Sequence, residues 1–300
     1  MKTLPYQLSK IMFFLMILTA PAMIAGNNKM AGFEAPASAG PANLPYYSSA
    51  VIKKFIKYTP AAMPLFSKGS DNRAAEAFTV KASPVSLELK SIINQANSLY
   101  DTMHLAVTGL NPEAFEYAWR GYHNLLKKGV LNKTGVLSIC DFSQSSRMKR
   151  MYVIDIQHRK LLFRTYVAHG QNSGAEYASS FSNIPESGKS SLGFYITGRT
   201  YYGKNGLSLK IRGLDKGYND QALKRNIVLH GSSYICNQYL RNFGIMGTSL
   251  GCPAIPAPLS PKIIRVVKNG SCLFIYHPTH KYLAESTVIN GGPVYRRING

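Results

Sequence analysis

From Gly129 onward the sequence breaks into short apolar runs: "GVLSIC", "RMYVIDIQ", "KLLFRTYVAHG", "SSLGFYITG", "LSLKIRGL", "NIVLHGSS" and "SCLFIYHP". Val, Ile, Leu, Tyr and Phe fill them, and Gly, Asn, Ser and Lys separate them. Runs this short, bounded by turn formers, are strands, because β-branched and aromatic side chains pack well on a pleated, half-buried surface. Residues 130–285 are therefore expected to form a mainly β domain with one late helix near Pro261 to Lys268. There is no internal repeat. Hydrophobic residues make up 45% of the chain and charged residues 16%, enough to build a sizeable core.

The stretch before it, 84–129, has helical periodicity. Leu89, Ile92, Ile93, Ala96, Leu99 and Met103 recur at three- and four-residue steps. A second helix carries its own punctuation: Asn111 as N-cap, Pro112 at the first position and Glu113 at the positive end. Phe115, Ala118, Trp119, Tyr122 and Leu126 form its apolar stripe, and Lys127, Lys128 and Gly129 close it. Trp119 on that stripe reads as core.

The N-terminus addresses the compartment. Lys2 and Lys10 precede "IMFFLMILTAPAMIAG", a short apolar run broken by Pro21 and followed by small residues. Residues 1–25 read as a secretory signal peptide. Residues 26–83, with Pro36, Pro41, Pro45, Pro60 and Pro64 among Ala, Gly, Ser and Asn, read as a flexible linker, and 286–300 as a C-terminal tail. No later stretch has about 18 uninterrupted apolar residues, so no membrane span is expected after signal cleavage. The expected location is outside the cytoplasm, in the periplasm or cell envelope. Lys plus Arg number 35 against 14 Asp plus Glu, a net charge of +21 that favours polyanionic partners. No nucleic-acid-binding motif accompanies that charge, so nucleic acid is not the expected partner; an acidic lipid and an acidic cell-wall polymer both remain.

Four cysteines are present: Cys140, Cys236, Cys252 and Cys272. In an exported chain an even count suggests disulfides, and four cysteines allow three pairings. No CxxC or HxxxH spacing occurs, so neither a metal site nor a cofactor is expected. Cys252 sits in "TSLGCPA", between a glycine and a proline, where the chain must turn. His230 ends the apolar run "NIVLHG" upstream of it. Thiol attack on an acyl carbon needs a thiolate, a base, a group to orient the base, and donors for the oxyanion. His230 supplies an imidazole at a strand end, and the Gly231 carbonyl is free to hold its tautomer. Gly251 and Cys252 supply consecutive N–H groups, with the dihedral freedom of glycine making a nest. The imidazole and those dipoles are expected to lower the thiol pKa. The alternatives are an inert or disulfide-bonded Cys252 and a satisfied strand-end His230. His169 in "VAHGQNSG" repeats the same shape and reads as a turn histidine or a cleft wall. Cys236 reads as a packed thiol, with a second cleft thiol as the alternative.

"HG" followed by "SLGCPA" resembles the catalytic stretch of the L,D-transpeptidases, the YkuD-like cell-wall enzymes. "DFSQSSRMKRMYVID", "VAHGQNSG", "FSNIPESGKSSLGFYITGRTYYGKNGLSLKIRGLDKGYND" and "RNIVLHG" extend the likeness over about residues 135–278, and the 111–128 helix shares it. The resemblance implies a β-sandwich or barrel with accessory N-terminal helices. It makes Cys252 the nucleophile, His230 the base, the Gly231 carbonyl its orienter, and Gly251 part of the oxyanion nest. Ser249 and Tyr195, the latter in "SSLGFY", become substrate-binding candidates. Leu250 stands where such enzymes usually have His, and Ala254 where they usually have Arg; Arg212, Arg225 and Arg241 are the candidates to replace that Arg, with Arg212 put forward. The implied partner is the peptidoglycan stem peptide, attacked at its third residue with release of D-alanine and transfer to an amine. A carboxypeptidase with water as acceptor and a non-catalytic wall-binding protein remain the alternatives.

Overall fold

The computed structural model describes residues 84–293. The expected signal peptide (1–25) and linker (26–83) lie outside the described residues, as do residues 294–300. Helices α1 (Pro84–Thr102) and α2 (Pro112–Lys127) come first. The α2 punctuation behaves as its residue types dictate: Asn111 Oδ1 accepts the Glu113 N–H at 2.9 Å, with Pro112 in the first turn. Its buried face is Ala114, Phe115, Ala118, Trp119, Tyr122 and Leu125. Leu125 takes the place expected for Leu126, one residue around the helix. Gly121 lets α2 lie directly on the sheet, since any side chain there would run into the Phe194 ring.

Among the described residues, eight strands form one sheet in the order β3-β2-β1-β8-β4-β5-β6-β7. They are β1 (Val136–Asp141), β2 (Met151–Asp155), β3 (Lys160–Thr165), β4 (Gly193–Gly203), β5 (Gly206–Gly213), β6 (Val228–Ser232), β7 (Ala254–Pro256) and β8 (Cys272–Tyr276). The molecule is mainly β, as the runs of branched and aromatic residues require. β1 and β8 pair in parallel at its centre, and β4 and β5 form a long hairpin with an irregularity between Thr197 and Thr200. Past β3, Ala168 bridges to Ala254 in β7 and Gly170 to Ser249. Because β3 and β7 are the two ends of the strand order, these bridges nearly close the sheet into a barrel. Closure hides the edges that would otherwise expose unpaired backbone.

α2 packs on β1 and β8, where Phe194 and Phe274 stack with centroids 4.1 Å apart. α4 (Ser260–Val267) packs against β1, β5 and β6 and is the late helix the sequence announces. Among the α-helices and strands, three short ones were not foreseen: α3 (Asn237–Phe243), β7 and α5 (His280–Glu285). α3 buries no residue and so carries no apolar stripe; β7 has three residues and ends on a proline. Asp215, fully buried, accepts the Phe194 N–H at 2.7 Å, the Ser286 hydroxyl at 2.6 Å and the Tyr282 hydroxyl at 3.2 Å. It ties β4 to α5 and to the segment beyond, where Val288 and Ile289 are also buried. Burial raises its pKa to about 6.

All four cysteines are free. Cys140 and Cys272 lie on neighbouring strands but three residues out of register, since Cys140 faces Ile275. That offset, roughly 10 Å at the strand rise, is too long for a disulfide. Both fill core. Among the described residues no helix is long and apolar enough to cross a membrane.

Candidate active site

His230 lies in β6 between two partners: Ser208 faces it from β5 and Ala254 from β7. Three strands therefore fix its backbone. Its Nδ1–H donates to the Gly231 carbonyl at 2.9 Å, which leaves Nε2 as the basic nitrogen. Gly231 permits this because the backbone there presses on the start of α4; a side chain would meet Ser260. Burial lowers the His230 pKa below its ordinary value, the Gly231 hydrogen bond opposes that, and the Lys204 charge adds to it. The imidazole is neutral near neutral pH.

Cys252 shares a cavity of about 380 Å³ with His230, Ser249, Arg225, Lys204 and Tyr201. Its Sγ accepts the Val228 N–H at 3.4 Å and lies 3.7 Å from the Asn226 carbonyl, to which the thiol can donate. The backbone at the start of β6 thus holds the sulfur, two residues before the histidine. The expectation of a lowered thiol pKa fails here. Burial pushes Cys252 up more strongly than the Val228 N–H and the Arg225 and Lys204 charges pull it down. Desolvation disfavours the thiolate more than these two charges favour it.

The turn at the cysteine also differs in detail. Gly251 has φ +120°, a region side chains rarely adopt, and a Cβ there would meet the Lys189 carbonyl. Its N–H donates to Ser249 Oγ at 3.0 Å, and that hydroxyl donates to the Cys252 carbonyl at 2.6 Å. Ser249 therefore staples the turn while also lining the cavity, and the Gly251 N–H is bonded within the turn. Among the described residues the Cys252 N–H makes no backbone hydrogen bond.

Two residues expected to contact substrate lie outside the cysteine cavity. Tyr195 is fully buried on β4 and its hydroxyl donates to the Ser191 carbonyl at 3.0 Å. Arg212, on β5 opposite Ile196, lines a different cavity. Of the three arginines, Arg225 reaches the cysteine cavity, and Arg241 donates to Gln238 on exposed α3. The Arg225 guanidinium donates to the Ser182 and Lys189 carbonyls, each at 2.6 Å, and to the Ser187 and Ser191 hydroxyls. It clamps the 182–191 loop against the site. Sequence reasoning also missed Lys204 and Tyr201; the "YYGKNG" turn between two strand-like runs was the available signal for a hairpin reaching over the cavity.

His169 is sealed. It is fully buried, Arg150 donates to its Nδ1 at 2.7 Å, and its Nε2–H donates to the Gly174 carbonyl at 2.9 Å. Burial, with the Arg150 charge behind it, lowers its pKa to about 4. Its carbonyl accepts the Ser249 N–H at 2.9 Å, so it braces the cysteine turn. The turn reading of His169 holds and the cleft reading does not. Cys236 caps α3 by accepting the Tyr239 N–H at 3.4 Å.

Comparison with known proteins returned no match among curated sequences. Among solved structures, the chain is similar to an L,D-transpeptidase from Mycobacterium smegmatis at 10% identity and a TM-score of 0.30, covering 48% of this chain and 59% of that one. It is similar to an L,D-transpeptidase from Mycobacterium tuberculosis H37Rv at 11% identity and a TM-score of 0.29, covering 48% and 58%. It is also similar to the helical cell shape determining protein Pgp2 from Campylobacter jejuni at 16% identity and a TM-score of 0.34, covering 53% and 56%. The chain thus spans a little under three fifths of the length of these structures. The family model of the L,D-transpeptidase catalytic domain matches residues 106–276, from the turn before α2 to the end of β8, and the chain belongs to that family.

Proposed function

We propose that this protein is an exported, cysteine-dependent L,D-transpeptidase acting on peptidoglycan stem peptides. The observation that carries the reading is the Nδ1–H···O hydrogen bond from His230 to Gly231, which leaves Nε2 basic in the cavity that also holds the Cys252 thiol. A histidine held in this tautomer, sharing a solvent-reachable cavity with a free thiol, is the arrangement that acyl transfer needs.

In this mechanism His230 Nε2 takes the thiol proton as Sγ attacks the carbonyl of the third stem residue. The C–N bond to D-alanine breaks, and the imidazolium gives the proton to the leaving amine. The thioester then meets an amine of a second stem. Nε2 takes the proton of the attacking amine, the C–S bond breaks, and the proton returns to sulfur. The Cys252 N–H serves the oxyanion, and the Arg225 and Lys204 charges favour the thiolate as it forms. Because thiol and imidazole are both neutral at rest, the thiolate arises with the proton transfer. The rate is expected to rise with pH through the His230 pKa, which lies below 6.5, and to hold above it.

The test is mass spectrometry of disaccharide-tetrapeptide muropeptides incubated with the wild type and with Cys252→Ala. Cys252-dependent loss of D-alanine with a dimer joined between third residues is the expected result. Tripeptide without dimer would make water the acceptor and the protein a carboxypeptidase. No Cys252-dependent product, and no carbapenem adduct on Cys252, would leave the wall-binding alternative.

A further inference from the structure

The strand that faces His230 continues into a second cavity. Along β5, Leu209 and Ile211 are buried in the core, so Ser208, Lys210 and Arg212 share the other face. Ser208 is opposite His230, and Lys210 is opposite Val228. Lys210 and Arg212 thus lie on the histidine's face of the sheet, one and two pleats further along. Together with Arg199 from β4 they wall a cavity of about 750 Å³. Asn132 and Asn269 contribute amides to it, and none of the residues lining either cavity is acidic.

Two elements join this cavity to the catalytic one. Lys210 Nζ lies 6.0 Å from the ring of Tyr201, which itself lines the catalytic cavity. The segment before β6 places Leu223 in the basic cavity and Arg225 in the catalytic one. From Ser208 to Arg212 is roughly 13 Å at the strand rise. About four extended peptide residues cover that span.

We propose that the basic groove of Arg199, Lys210 and Arg212 is the docking subsite for the second, carboxylate-bearing peptide strand, the one that delivers the amine. The inference rests on the acyl-transfer reading above. Such a reaction needs two anionic strands at once, and the catalytic cavity, at half the volume, accommodates the one being cut. Guanidinium groups pair with carboxylates through two parallel hydrogen bonds, while asparagine amides suit peptide groups. Anchored there by its carboxylates, the second strand can extend its amine along β5 toward the thioester on Cys252.

The experiment uses the full chain and has two arms. In the first, Cys252→Ala protein is titrated with disaccharide tripeptide, which carries carboxylates and an amine but no D-alanine to lose. In the second, dimer formation, D-alanine release and carbapenem adduct formation on Cys252 are measured with Cys252 intact. The variants are Lys210→Gln/Arg212→Gln together and, separately, Arg199→Gln, whose exposed side chain tolerates replacement. The proposal expects roughly tenfold weaker tripeptide binding and a matching rise in the acceptor KM in the double variant, a smaller change in the same direction for Arg199→Gln, and adduct formation at the wild-type rate. Unchanged tripeptide binding would overturn it, as would tripeptide binding that survives amidation of the carboxylates. A polyphosphate chain that binds more tightly than the tripeptide and depends on Lys210 and Arg212 would also overturn it, in favour of a phosphate polymer. If no adduct forms on Cys252 in any protein, it is the acyl-transfer reading that fails, and the titration still decides what the groove binds.

Discussion

His169-Gly170 and His230-Gly231 are the same dipeptide after the same kind of apolar run, "YVAHG" and "IVLHG", yet the fold uses them in opposite ways. His169 carries its proton on Nε2 and gives both ring nitrogens to the protein, one to Arg150 and one to Gly174. His230 carries its proton on Nδ1 and gives only that nitrogen away, to the carbonyl of the next residue. The first is a strut and the second has a spare lone pair. Local sequence sets the strand and the turn; the residue that arrives from elsewhere, Arg150 in one case and Cys252 in the other, sets the chemistry.

Replacing each histidine should separate the two roles. His230→Ala should lower kcat by roughly 10²–10⁴-fold, the range for losing a general base, with an unfolding temperature close to wild type. His169→Ala should do the reverse first: it leaves a buried Arg150 N–H without its acceptor and costs about 2–4 kcal/mol of stability, read by urea denaturation. A His169→Ala protein as stable as wild type would remove the contrast. Acid should erode the His169 contribution. Its folded pKa of about 4 lies below its ordinary 6.5, so the stability it gives is complete above 6.5 and lost as pH falls through 4. The stability gap between wild type and His169→Gln is therefore expected to narrow across that window. Asp215 titrates the other way, its contribution complete below 3.8 and lost as pH rises through about 6, so the comparison must be made against the His169 variant and not by wild type alone. Ser249→Ala removes the staple between the two regions and should cost about 1 kcal/mol, with slower adduct formation on Cys252. Smallest of all, Cys236→Ala should leave substantial activity, since that thiol only caps α3; complete loss would make it part of the site.

What the sequence disclosed follows the same division. The seven apolar runs, the capped α2 and the late helix were legible because each is written in contiguous residues. α3, β7 and α5 were not, being too short to show a period. At the site, the sequence pointed to His230, Gly231 and Cys252 together, and the structure sets His230 on the Gly231 carbonyl and in one cavity with Cys252. Tyr195 and Arg212 lie outside the cysteine cavity because which face of a strand meets that cavity depends on a register that one strand's sequence does not contain. The bonding of the Gly251 N–H and the direction of the Cys252 pKa were not legible for a related reason. The Ser249 hydroxyl competes for the N–H, and the depth of burial is set by the 182–191 loop and the β4–β5 hairpin, both distant in sequence.

The bridges from Ala168 to Ala254 and from Gly170 to Ser249 carry a consequence for how the chain matures. They join parts of the chain that are far apart in sequence, and loop closure makes such contacts slow to form. The cysteine turn hangs from this seam, held by His169 on one side and by β6 on the other. A chain with its hairpins paired but its seam open has a thiol without a built site. The pocket around Cys252 is then a late product of folding, completed when the first and last strands of the sheet meet.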